Sequence, residues 1–108
     1  MSLYRFKSRE TGDLVMLAPS GKHILDILGK DASTSGIIRP EEMPGAIAAL
    51  RAAVQAEEAA QQQMKDDALA KGEPVPQFEA VSLRMRSAPF IEMLQRCAKA
   101  EVEIVWGV

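Results

Sequence analysis

One helix signal, too long for the chain that carries it, constrains this sequence more than anything else. From about Pro44 to Lys71 the residues are mostly Ala, Leu, Gln, Glu, Lys, Asp and Arg, a composition dominated by strong helix formers. Gly72, then Pro74 and Pro76, marks the end. At 1.5 Å per residue such a helix is roughly 40 Å long. A compact chain of 108 residues has a radius of gyration of only about 13 Å. The helix must therefore cross the molecule or leave it. Its apolar stripe decides between the two. Met43, Ile47, Leu50 and Val54 keep the spacing of a core face. The same spacing then meets Glu57 or Glu58, Gln61, Met64 and Ala68, so the large apolar residues run out halfway. The spacing predicts a helical arm over about 44–71 that extends past the core, followed by a proline-rich linker at 72–78.

The flanking segments predict the core that anchors this arm. Leu3 to Lys7 alternates, with Tyr4 and Phe6 on one face, which suits a half-buried strand. Thr11-Gly12-Asp13 reads as a turn and Leu14 to Leu17 as the return strand of a hairpin. Pro19-Ser20-Gly21 opens a short helix that Ser20 is placed to cap and Gly29 to end. Ile24, Leu25, Ile27 and Leu28 form its buried side, with Lys22, Asp26 and Lys30 opposite. Ile37-Ile38 returns to the core, and Pro40-Glu41-Glu42 is a helix-start signal. A last helical region is expected from about Glu79 to Lys99, kinked or split at Pro89. Val102 to Trp106 alternates again, as a third strand. The predicted order is β-β-α-α-α-β. That is an α+β domain spanning residues 1–108, with a small antiparallel three-stranded sheet, helices packed on one face and a long projecting helix.

Composition narrows the function classes. The net charge is −2, whereas nucleic-acid binders draw most of their affinity from a basic surplus. No nucleic-acid partner is expected. No apolar stretch approaches the length of a membrane span, and the charged start, Arg5 and Lys7, is unlike a signal peptide. With one cysteine, Cys97, no intrachain disulfide forms. A cytoplasmic location follows as the expectation.

No catalytic residues, metal ligands or cofactor emerge. His23 is the only histidine and Cys97 the only thiol, too few for a zinc site. A His–Cys catalytic pair has no supporting spacing. The pairs Glu41-Glu42, Glu57-Glu58 and Asp66-Asp67 point in different directions on a helix and form no shared acid–base site. Ser20, Gly21 and Lys22 follow a strand and open a helix, which resembles an anion site. The full phosphate loop is absent, because the first glycine is missing and His23 follows the lysine. An ordinary helix cap with a solvated lysine is the favoured explanation of these residues. Arg84 and Arg86 are the arginines suited to joining such a site; scattered solvated charge is the plainer explanation. Two features are candidates for association. Ala52, Ala56 and Ala59 lie on a side of the long helix that is small enough for another helix to approach closely, although a freely solvated alanine-rich helix explains them as well. Trp106 stands in an apolar C-terminal run that is tied either into the sheet, as core cover, or into an interface.

The chain also resembles a family of short bacterial proteins, the domain of unknown function 1840 family. The resemblance rests on Tyr4-Arg5-Phe6-Lys7-Ser8, Thr11-Gly12-Asp13-Leu14-Val15-Met16-Leu17, Gly36-Ile37-Ile38 and Glu42-Met43-Pro44. It continues through Ala46-Ile47-Ala48-Ala49-Leu50, Pro89-Phe90-Ile91-Glu92-Met93-Leu94 and Val105-Trp106-Gly107-Val108. It implies a bacterial, cytoplasmic origin and transfers no activity. The leading expectation is a non-enzymatic interaction or regulatory module that self-associates, most simply as a homodimer. A small-molecule or anion-binding domain is the alternative, and an enzyme without a recognisable motif ranks third.

Overall fold

A computed structural model describes residues 3–78 and 81–107. Strand β1, Leu3–Phe6, pairs antiparallel with β2, Leu14–Leu17, in the register Leu3–Leu17 to Phe6–Leu14. The expected alternation holds. Phe6 is fully buried and Tyr4 partly so, while Leu3 and Arg5 face solvent. Helix α1, Ala18–Ile27, follows β2 without a loop. Its cap residue is Leu17, which makes no side-chain capping bond, and Ser20 lies inside the first turn. The expected Ser20 cap is therefore replaced by Pro19 near the start, where the missing N–H costs nothing.

The single three-stranded sheet is corrected to two two-stranded ribbons. The second joins β3, Gly36–Ile38, to β4, Ile104–Trp106. The expected last strand thus pairs with a short strand formed where Ile37-Ile38 re-enters the core. Lys7 and Val105 exchange both backbone hydrogen bonds, at 2.8 and 2.9 Å, and this one bridge stitches β1 to β4. Gly36 makes the second ribbon possible. The Trp106 ring lies so close that a Cβ on Gly36 would stand 2.4 Å from Cζ2.

A 3-10 turn, Pro40–Glu42, leads into helix α2, Met43–Lys71, with Pro44 in its first turn. The Glu42 carboxylate accepts from the Arg39 N–H at 3.0 Å and from Lys30 Nζ at 2.7 Å. These bonds hold its pKa below the ordinary glutamate value, the Lys30 bond contributing most. Helix α2 ends at Gly72, in the left-handed conformation, with Glu73 N–H donating to the Ala68 carbonyl at 2.8 Å. Helix α3 runs unbroken from Leu83 to Ala100 through Pro89, rather than being split there. Ser82 caps it, accepting from Met85 N–H at 3.2 Å. The expected start at Glu79 and the terminal Val108 lie outside the described residues.

The core lies where both ribbons meet the helices. Phe6 packs edge-on against Phe90 with ring centroids 4.8 Å apart, and Trp106 lies beside it at 6.2 Å. Ile24, Leu25, Ile38, Met43, Leu50, Met93, Leu94, Cys97 and Ile104 complete it. Along α2 the buried large residues stop at Val54, and beyond it only Ala68 is buried. The arm projects as its stripe predicts. The molecule measures 52 × 30 × 21 Å with a radius of gyration of 16.0 Å, above the about 13 Å of a compact chain of this length. The proline-rich segment turns back beside the arm, where Lys65 Nζ sits 5.8 Å from the Phe78 ring centre.

Candidate functional site

The long helix acquires a partner along only part of its length. Helix α3 lies antiparallel to α2, and two contacts set the register. Glu57 accepts the Leu83 N–H at 3.0 Å, placing a carboxylate at the positive end of α3. Arg84 grips Glu58 with both Nε and Nη2, at 2.7 and 2.8 Å. Those bonds push the Glu58 pKa down and the Arg84 pKa up. The pair is exposed, so it orients the helices more than it stabilises them.

Between the two helices, on the outward side, runs an open cleft of about 420 Å³. Its floor is apolar. Val54 is almost fully buried, Ile91 is half-buried, and Ala88 adds a small side chain. Its rim is polar and exposed, with Arg51, Gln55 and Arg84 on one part and Glu92 and Gln95 on another. Arg51, Val54 and Gln55 are three and four apart on α2, and Ala88, Ile91, Glu92 and Gln95 repeat that spacing on α3. Each helix thus shows one continuous stripe to the cleft. Neither the Arg51 guanidinium nor the Glu92 carboxylate has a side-chain hydrogen bond or ion pair among the described residues.

The interface residues predicted from sequence separate into two environments. Ala52, Ala56 and Ala59 are exposed on α2, each next in sequence to an outward-facing residue at Arg51, Gln55 and Glu58. None of the three lines the cleft; they lie on the neighbouring exposed side of α2. Trp106 is not on that surface: it is 2% exposed and its indole N–H donates to the Thr34 carbonyl at 3.0 Å. It is a core residue, and its aromatic bulk explains its placement.

The five anion-site candidates do not converge. Gly21 is buried beneath the Tyr4 ring, where an added Cβ would come within 2.3 Å of Cδ2. The backbone there is covered rather than open to a ligand. Ser20 is half-buried and Lys22 points to solvent. Arg84 belongs to the α2/α3 cleft, whereas Arg86 lines a separate cavity of about 270 Å³ with His23, Glu57 and Phe78. Cys97 is fully buried and its thiol is 3.1 Å from the Ser8 hydroxyl, while His23 is exposed on α1. Among the described residues, no group of three or more His, Cys, Asp or Glu side chains is arranged to hold a metal ion. No described helix is long and apolar enough to cross a membrane.

Arg51, Gln55, Glu92 and Gln95 went unnoticed in the sequence because their spacing is that of any solvated helix face. They become a site only through the register that Glu57 and Glu58 set.

The fold and its cleft define a small α+β domain with a projecting helical arm. Residues 2–106 match the family described as a domain of unknown function (DUF1840), and the chain belongs to that family. Neither the curated proteins nor the solved structures contain a match.

Proposed function

We propose that this chain is a non-enzymatic interaction module, regulatory in kind, that self-associates through its helical hairpin. The supporting observation is the outer side of α2 and α3, a 420 Å³ cleft with an apolar floor; Ala52, Ala56 and Ala59 are exposed on the same helix α2. Nothing else in the described chain covers it. A small, apolar-floored groove between two helices is the shape that accepts further helices. Helix α3 is roughly 27 Å long and two packed helices are about 20 Å wide. Face-to-face contact of two hairpins would bury roughly 550 Å² on each copy, about 1,100 Å² in all, the low end of specific interfaces. Association that weak is reversible, as a regulatory module needs. The bacterial, cytoplasmic setting implied by the family resemblance belongs to the same proposal, and the buried free thiol of Cys97 suits a reducing compartment.

Because a dimer binds only folded protein, the melting temperature should climb with protein concentration. A melting temperature that stays flat across about a hundredfold range of concentration, up to about 1 mM, would count against the reading. A second reading, binding of a small carboxylate or phosphate, is favoured by one observation. Arg51 and Arg84 line a cleft whose volume lies within that of ligand pockets. A thermal-shift screen of phosphates, nucleotides and carboxylates at millimolar concentration that raised the melting temperature would support it; no shift across the panel removes it.

A further inference from the structure

We infer that two copies of this chain meet across the α2/α3 cleft about a two-fold axis running along it, so that Arg51 of each copy pairs with the partner's Glu92. The inference rests on the self-association proposed above and names its surface and symmetry. Three observations carry it. First, with Arg84 held by Glu58, the cleft keeps one cation and one anion, Arg51 and Glu92, each exposed and without a side-chain partner among the described residues. Second, they stand on opposite walls at nearly the same level. Glu57 meets Leu83 and Glu58 meets Arg84, so stepping back along α2 to Arg51 corresponds to stepping forward along α3 to about Ile91. Third, the apolar residues Val54, Ala88 and Ile91 line the same cleft.

In a two-fold contact, whatever residue i touches on the partner is matched by the reciprocal contact. An axis parallel to the helices lays α2 of one copy on α3 of the other. Each Arg51 then faces a Glu92, and the apolar floors meet between them. An axis perpendicular to the helices would instead set Arg51 against Arg51, which like-charge repulsion disfavours. The cleft is thus self-complementary in charge for one arrangement of two copies, and the product is a four-helix bundle with antiparallel neighbours.

The test is a charge exchange, read by sedimentation velocity on the full chain. Apart from Arg84, which Glu58 holds, Arg51→Glu leaves the cleft with two carboxylates and Glu92→Arg leaves it with two cations. Each variant alone should dimerise about tenfold or more weakly than the unaltered chain. Mixed in equal amounts, they should recover the dimer, because every contact then pairs opposite charges. Arg51→Gln and Glu92→Gln serve as milder partners, and an unchanged melting curve at low concentration confirms that each variant folds. Single variants that dimerise like the unaltered chain would overturn this arrangement and leave self-association standing. Weakened variants whose mixture fails to recover would overturn it as well. An unaltered chain that is monomeric up to about 1 mM would remove both proposals.

Discussion

Substituting Gly36 by alanine should unfold this protein more readily, and the cost can be worked out from the contact with Trp106. A Cβ at position 36 would lie 2.4 Å from Trp106 Cζ2, 2.7 Å from Cη2 and 3.0 Å from Cε2. Ordinary carbon contacts need about 3.5–4.0 Å, so the indole would have to move by about 1 Å. It has little freedom to do so. Trp106 is 2% exposed, packs on Phe6, and holds its Nε1 to the Thr34 carbonyl. Overpacking a filled site costs about 1–3 kcal/mol, and straining the indole hydrogen bond adds up to about 1 kcal/mol. Loss of glycine's freedom in the unfolded chain returns about 0.4–1 kcal/mol. The net destabilisation is about 1–3 kcal/mol, or a fall of roughly 5–15 °C in melting temperature. Urea titration followed by tryptophan fluorescence reads the site directly, since Trp106 is the sole tryptophan. Far-ultraviolet circular dichroism should give the same midpoint if unfolding is two-state. A Gly36→Ala midpoint equal to or above that of the unaltered chain would refute the close packing of β3 beneath the indole.

Gly45 provides the opposite case: nothing lies within 4 Å of its Cβ position in the first turn of α2, so Gly45→Ala should stabilise by about 0.5–1 kcal/mol in the same titration. Glu101 closes α3 with φ at 58°, a left-handed position that costs a side chain about 1–2 kcal/mol, and Glu101→Gly should raise stability by about 0.5–1 kcal/mol after glycine's entropy is deducted. A lower urea midpoint for that variant would contradict the assigned helix end. The Glu42 carboxylate, depressed by Lys30 and then by the Arg39 N–H, contributes its stability in full above about pH 4.5 and loses it as pH falls through its lower folded value. Glu42→Gln should therefore lose less stability than the unaltered chain between about pH 6 and about pH 3, and an equal loss would show that Glu42 is not involved.

Much of this fold was legible from local signals. The arm was expected at 44–71 and α2 occupies 43–71, because a proline, a glycine and a fading apolar stripe are all local cues. The hairpin was legible from the alternation at Tyr4 and Phe6. Strand β3 was not, since three residues are too few to display a period and its partner lies near the far end of the chain. That long-range pairing turned the expected single sheet into two ribbons. The start of α3 is fixed by the Ser82 capping bond, a local signal that the expected helical region did not single out. Pro89 did not split α3, which packs Phe90, Met93 and Leu94 in the core just beyond it; such packing offsets a lost backbone bond. Of the site and its surroundings, Arg84 and the exposed alanines of α2 were visible. Arg51 and Glu92 were not, because each is an unexceptional exposed charge until two helices bring them to one cleft.

Self-association through the helical hairpin, as proposed, is read most simply from the mass in solution. An elongated chain with a radius of gyration of 16.0 Å elutes early whatever its state, so the mass must come from multi-angle light scattering rather than elution position. Measured over rising concentration, the average mass should climb from 11.8 kDa towards twice that value. A mass that holds at 11.8 kDa up to about 1 mM would contradict the account.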